Sequence, residues 1–161
     1  AVWVLITLAP ALAAMTALQP RPLDVFAAVG LTVWALGFGI EVVADRQKRA
    51  FRHQPGNRGR FITTGLWAWS RHPNYFGEIT LWTGVALLAL PVLSGWQYVT
   101  LVSPLFVYLL LTRVSGIPLL EARAEEKWGS DPEYRAYRER TPPLVLRPPR
   151  SAAGRDGLTS A

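Results

Sequence analysis

Cysteine is absent from the chain, so no disulfide, thiolate metal site or Cys nucleophile is open to it. Histidine is nearly as scarce. His53 and His72 are the whole supply, too few for a His-rich metal centre. Acids are few, with 11 Asp and Glu against 17 Lys and Arg, a net charge of +6. From Arg46 to Arg71 there are seven basic residues and no acid. A phosphate-cradling glycine loop is also missing. Pro55-Gly56-Asn57-Arg58-Gly59 has neither dinucleotide nor P-loop spacing and follows no strand, so it reads as a flexible loop. No internal repeat is present. The chain has no initiator Met, and Ala1–Leu18 lacks the basic flank of a signal peptide. Its start inside an apolar run predicts a piece of a longer membrane protein.

Long hydrophobic runs are what the chain does have. Half of its residues are hydrophobic, and they gather in Ala1–Leu18, Leu23–Ala44, Tyr75–Leu93 and Trp96–Val114. Crossing a bilayer takes roughly 20 mostly apolar residues. The pattern predicts an all-α integral membrane bundle of about four transmembrane helices, followed by short cytoplasmic helices at the C-terminal end. A soluble bundle is the alternative, and four such blocks between basic loops argue against it. Residues 1–149 read as the membrane domain. Residues 150–161, small and polar, read as a disordered tail. The Lys/Arg bias puts the 46–71 loop and the C-terminal tail on the cytoplasmic side, and a bacterial inner membrane is the expected location.

Local signals refine the spans. Gln19-Pro20-Arg21-Pro22 predicts a turn. Gly30, Gly37 and Gly39 in the second helix, about Leu23 to Arg49, predict close helix contacts. Pro73 suits the first position of the third helix, where its missing N–H costs nothing. Ser103-Pro104 predicts a kink in the fourth. Leu119–Trp128 reads as an amphipathic helix, and Asp131-Pro132-Glu133 as the capped start of another. Thr141-Pro142-Pro143 ends that helix.

Polar chemistry concentrates at Arg71-His72-Pro73-Asn74-Tyr75-Phe76-Gly77-Glu78, which opens directly onto an apolar run. Asn74 and Glu78 share a helix face at i,i+4 spacing, as do Glu41 and Asp45 in the second helix. Carboxylates at the mouth of a membrane helix are costly unless paired or wet. Two readings stay open for Glu41, Asp45, Asn74 and Glu78: ion pairs with neighbouring Arg, or hydrogen bonds to the ribose, amide or base of a cofactor. Two stay open for Arg46, Lys48, Arg49, Arg52, Arg58, Arg60 and Arg71. They are topology signals and lipid-headgroup contacts, or an anion site in which Arg grips phosphate bidentately. Tyr75 either stacks on a ligand or sits in the interfacial belt. Trp67, Trp69, Trp82 and Trp96 read as belt and packing residues.

These residues resemble a known family. Glu41-Val-Val-Ala-Asp45-Arg-Gln47-Lys-Arg-Ala-Phe51, Gly65-Leu-Trp67, Ser70-Arg-His-Pro-Asn-Tyr-Phe-Gly-Glu78 and Trp82-Thr-Gly84 look like the C-terminal domain of the steroid 5-alpha-reductase family. More closely, they look like its bacterial DUF1295 branch of membrane proteins. Ser115-Gly-Ile-Pro-Leu-Leu-Glu121 and Tyr134-Arg-Ala-Tyr137 fit the same branch. The resemblance implies a membrane helical bundle that uses NADPH to reduce a carbon–carbon double bond conjugated to a carbonyl in a steroid-like or other lipid. It implies cofactor-binding roles for Asp45, Arg52, Arg60, Asn74 and Glu78, with Arg49, Tyr75, Glu121 and Tyr137 as further candidates. It places the catalytic acid in an N-terminal half beyond this chain. The expected partners are that lipid substrate and membrane lipids, with no nucleic acid and no metal.

A second resemblance is to the isoprenylcysteine and phospholipid methyltransferases, which bind S-adenosylmethionine. They share the Arg-His-Pro-x-Tyr helix start and a distal Glu-Glu, matched by Glu125-Glu126, Gly129 and Tyr134. A non-enzymatic membrane scaffold is a third reading, resting on the spans alone. The orientation is directly testable, because the chain offers a Cys-free background. Single cysteines near Gly56 and near Thr141 are expected to label only from the cytoplasmic side, and one at Gly95 only from outside. Labelling of Gly56 and Gly95 from the same face would refute the topology.

Overall fold

A computed structural model describes residues 2–16 and 24–149. The expected turn at Gln19–Pro22 and the tail at 150–161 lie outside the described residues. Helix α1 spans Val2–Met15, α2 Val25–His53 and α3 Pro73–Ala89. Beyond a turn, one helical stretch runs from Gly95 to Trp128. Helix α6 covers Pro132–Arg140. The described residues contain no strand.

Three stretches are long and apolar enough to cross a membrane: Val25–His53, Pro73–Val92 and Gly95–Trp128. They make the protein a helical membrane bundle. The first expected block gives a shorter apolar helix. The 14 residues of α1 reach about 21 Å at 1.5 Å each, short of the roughly 30 Å hydrocarbon core. It lies against α3 and the third stretch, where Ser103 Oγ donates to the Thr7 carbonyl at 2.8 Å. Trp3 meets Phe106 there at 5.8 Å between ring centroids.

Each start and stop follows local chemistry. The Asp24 carboxylate accepts the Ala27 N–H at 2.9 Å and caps α2. With 29 residues, α2 is about 44 Å long. Its last basic turns therefore project beyond the apolar layer. Pro73 opens α3 as expected. At Ser94, the Gln97 side chain accepts the backbone N–H at 2.9 Å in a capping box. The third stretch changes its winding rather than running straight. It is 3₁₀ over Gly95–Val102, α-helical over Ser103–Leu109 (α4), and π-wound over Leu110–Val114. It resumes as α5 over Ile117–Trp128. The expected break at Ser103-Pro104 is the point where 3₁₀ gives way to α. Asp131 caps α6 by accepting the Glu133 N–H at 2.8 Å.

The dominant packing is between α2 and α3, which run antiparallel. Two glycine pairs set it. A Cβ on Gly77 would lie 2.7 Å from the backbone N of Glu41 and from the Gly37 carbonyl O. A Cβ on Gly30 would lie 2.8 Å from the backbone N of Leu88, and Gly84 faces the Trp34 backbone. Gly30 and Gly37 are seven apart, and so are Gly77 and Gly84. Two helical turns therefore separate the paired contacts on both helices. Gly39 departs from expectation. Nothing stands within 4 Å of where its Cβ would be, because it points away from α3.

Backbone contact this close leaves no room for a methyl group. Gly77→Ala and Gly37→Ala are expected to destabilise the bundle by about 1–3 kcal/mol, the usual cost of overpacking. Gly39→Ala should instead gain about 0.5–1 kcal/mol, as Gly-to-Ala does in an open helix. Melting in detergent separates the two cases, and equal effects at all three positions would refute the glycine contact.

Candidate functional site

The site is assembled where α2 emerges from the apolar layer. Asn57 donates its side-chain amide to the Phe51 carbonyl at 3.0 Å and closes the end of α2. The Pro55–Gly59 segment is thus a pinned turn rather than a flexible loop. Gly65 has φ +61°, the left-handed backbone that favours glycine, and the Gln47 side chain fills the space where a Cβ would point. Gln47 accepts the Leu66 N–H at 2.9 Å. Trp67 is buried, and its indole N–H donates to the Ala44 carbonyl at 3.0 Å. Ala44, Ile62 and Trp67 form a small core flanked by Phe51 and Leu66. Lys48 holds its ammonium over the Trp67 ring, 4.4 Å from the centroid.

The chain then turns through Ser70, Arg71 and His72 into α3. Both side chains after Ser70 reach Glu121 on α5. Arg71 Nη1 lies 2.7 Å from Glu121 Oε2, and His72 Nε2 lies 2.7 Å from Glu121 Oε1. The three side chains are 13%, 7% and 19% exposed, so the cluster is largely shielded from water. Arg138 stands further off, 3.9 Å from Glu121, and pairs with Glu125. The His72 ring stacks on Tyr75 at 5.7 Å and 12°.

A cavity of about 330 Å³ opens beside this cluster. Its floor is aromatic, with Phe61, Trp67, Trp128, Tyr134 and Tyr137. Phe61 meets Trp128 and Tyr134 edge-on at 5.8 and 5.2 Å. Its rim carries Lys48, Arg52, Arg60, Arg71, Arg123 and Lys127, and among the described residues Glu121 is the one acid lining it. A shallow groove formed by Asp45, Lys48, Arg49, Arg52 and His53 adjoins it, and Lys48 and Arg52 border both.

The candidate residues fall into two groups. Arg52, Arg60, Glu121 and Tyr137 line the cavity, and Asp45 and Arg49 line the groove with Arg52. Asn74, Tyr75 and Glu78 sit on the first two turns of α3 and line neither. Glu78 and Tyr75 lie within electrostatic reach of Asp45, and Glu41 within reach of both Asp45 and Glu78. Among the described residues, no Lys, Arg or His nitrogen lies within 4 Å of Glu41, Asp45 or Glu78. Ion pairing is therefore not what holds these acids in place. Among the described residues, two buried side-chain atoms have no hydrogen-bond partner, Asn74 Oδ1 and Arg71 Nε.

Sequence reasoning passed over Phe61, Trp128, Lys127 and Arg123. Phe61 sits in a loop without periodicity. The amphipathic pattern of α5 marks a buried face but not what that face encloses. Trp67 is internal packing, whereas Trp69 and Trp96 are exposed.

The tyrosine hydroxyls of the floor are held neutral. Burial pushes Tyr137 well above the ordinary tyrosine range, partly opposed by the Arg71 guanidinium. Burial, then Glu121, raises Tyr134. A raised value in the fold means that this stabilisation is complete below about pH 10 and drains as pH rises further, because the unfolded chain ionises first. Melting temperature followed from about pH 8 to about pH 11 should fall less steeply in Tyr137→Phe than in the wild type. Parallel curves would mean that Tyr137 ionises as freely in the fold as outside it.

A stretch of 71 residues is 34% identical to the probable O-methyltransferase ustE of Ustilaginoidea virens, covering 44% of this chain and 25% of that protein. This chain thus matches about a quarter of that relative's length. No solved structure matches the chain. The family described as "Protein of unknown function (DUF1295)" matches residues 1–141, which include every helix that frames the cavity and the Arg71–His72–Glu121 cluster; the chain belongs to the DUF1295 family.

Proposed function

We propose that the chain binds NADPH at the cationic cavity and serves the reduction of a conjugated carbon–carbon double bond in a lipid enone. The observation that carries this reading is the charge of the cavity. Six cationic side chains line it against one carboxylate, and both oxygens of that carboxylate are engaged by Arg71 and His72. A cavity so composed has unspent positive charge and calls for a polyanion. An aromatic floor suits the flat rings of a nucleotide. The orphaned Arg71 Nε, on a residue that lines the cavity, leaves a donor for a polar ligand.

Lys48 and Arg52, which border both cavity and groove, are the candidates for the phosphates. Arg60 at the rim is the candidate for the 2′-phosphate. Asp45, Asn74 and Glu78 continue the polar track into the mouth of the bundle, where hydroxyl and amide groups of a long ligand find partners. Glu121 acts indirectly, by fixing Arg71 and His72. When bound, NADPH supplies the hydride, and the protein supplies position and electrostatics. The substrate arrives through the lipid phase that the apolar spans contact. The cavity faces the cytoplasm in this reading, which the loop charges favour.

A second reading is an S-adenosylmethionine-dependent methyltransferase. The similarity to the probable O-methyltransferase ustE favours it, and Tyr134, part of the motif shared with methyltransferases, lies in the floor. S-adenosylmethionine carries a sulfonium cation and no phosphate. Six cations around the cavity are poorly matched to it.

Side-by-side titration of the purified protein with NADPH, NADH and S-adenosylmethionine decides between them. NADPH is expected to bind best. Arg60→Ala should weaken NADPH by about 1.5–3 kcal/mol, the worth of one charge-assisted contact, and NADH by much less. Preference for S-adenosylmethionine would select the second reading. Binding of none of the three would defeat both and favour a scaffold.

A further inference from the structure

The Trp67–His72 turn, which delivers Arg71 and His72 to Glu121, cannot satisfy its own backbone. Part of it is closed locally. The Leu66 carbonyl accepts from Trp69 N at 3.0 Å and from Ser70 N at 3.1 Å. Three of its backbone groups, and the Ser70 hydroxyl, are met from the far end of the chain. The Tyr137 hydroxyl donates to the Trp67 carbonyl at 2.7 Å. Arg71 N donates to the Pro142 carbonyl at 2.9 Å, and Arg147 N donates to the Trp69 carbonyl at 3.0 Å. Ser70 Oγ donates to the Leu144 carbonyl at 2.9 Å and accepts the His72 N–H at 3.1 Å. Ser70 is fully buried and Thr141 nearly so. Buried backbone groups of this kind go unpaired only at high cost, so the turn keeps its shape only while 137–147 lies on it.

We propose that residues 137–147 form a clasp that positions Arg71 and His72 for the cavity, with Ser70 and the Tyr137 hydroxyl as its positioning groups. Three observations converge on this. The clasp contacts lie on the same six residues that carry the two partners of Glu121. Ser70 is a relay, since one hydroxyl joins the clasp carbonyl to the His72 amide. Tyr137 serves twice: its ring is part of the cavity floor, while its hydroxyl is spent on the turn. Neither group brings charge to the cavity. Their effect reaches a ligand only through where Arg71 and His72 stand. The clasp bears on the NADPH site proposed above, yet its geometry stands without any ligand.

Histidine labelling tests the clasp independently of that reading. The chain has two histidines, His53 and His72. His53 is exposed and His72 is buried against Glu121. Diethyl pyrocarbonate modification, mapped by mass spectrometry on the full chain in detergent below its melting temperature, reports His72 against His53 as internal standard. In Ser70→Ala and in the milder Tyr137→Phe, the His72-to-His53 rate ratio is expected to rise about fivefold or more, as a protected side chain becomes free to open. NADPH affinity should fall several-fold in the same folded samples. A merely structural role would lower the melting temperature and leave the ratio and the affinity, both measured in the cold, at wild-type values. That result would overturn the proposal, as would a risen ratio with unchanged NADPH affinity in a wild type that binds NADPH. If the wild type binds no NADPH, the cofactor reading falls. The labelling ratio in the two variants then decides the clasp by itself.

Discussion

Backbone-to-backbone approach of α2 and α3 is the constraint on which the rest of the structure depends. Membrane helices gain little from hydrophobic transfer against lipid, so close van der Waals contact must hold them. Gly37 against Gly77 and Gly30 against Gly84 provide that contact at two levels. They also fix the register, because sliding either helix by one residue would drive a side chain into the opposing backbone. The register then dictates the polar chemistry. Glu41 flanks Gly77 across the helix interface, so Glu41, Asp45 and Glu78 gather at one end of the bundle, with no Lys, Arg or His nitrogen within 4 Å of them among the described residues.

Glu121 is the second organising element, and it works from a distance in sequence. Its two oxygens take Arg71 and His72, and through them join the start of α3 to α5. Truncating one partner of such a shielded cluster leaves a charge uncompensated, which is far costlier than losing the cluster whole. The arrangement also explains why His72, although it occupies the cap position of α3, makes no cap hydrogen bond. Its ring is turned toward Glu121 and stacked on Tyr75 instead. Helix capping is exchanged for a fixed side-chain geometry at the cavity wall.

Much of this was legible in the sequence, and the reasons are local. Spans follow from apolar length, and the Pro73 and Asp131 helix starts follow from capping chemistry. Gly30 and Gly37 were readable as contact points because small residues in a membrane helix have few other uses. Gly39 was misjudged because sequence gives the residue but not the azimuth of its partner. The first block, Ala1–Leu18, is apolar and helical as its composition predicts, and its described part is the helix Val2–Met15. The cavity was hardest to foresee. Its floor combines Phe61 from a loop, Trp128 from α5, and Tyr134 and Tyr137 from α6. Such a juxtaposition has no periodicity along the chain. Arg52 and Arg60 were legible as charges, but not as two sides of one opening.

The same cavity raises the question of why so much like charge is tolerated in one place. Six cations share its rim, and mutual repulsion between them works against the fold. Lys48 is partly accommodated by the face of Trp67. Glu121 is engaged by Arg71 and His72, and Arg138 is drawn toward Glu125. Arg52 and Arg60 have no carboxylate within 4 Å among the described residues. Were these residues only markers of topology, nothing would require them to converge on an aromatic-floored opening, since dispersal over the surface would satisfy the loop-charge rule equally well. In the proposed reading, convergence has its physical return when something anionic enters. The balance then reverses, because each cation that repels its neighbours in the empty cavity attracts the incoming anion. The proposed polyanionic cofactor would therefore stabilise the fold as it binds, by mass action on a state that is otherwise under electrostatic strain.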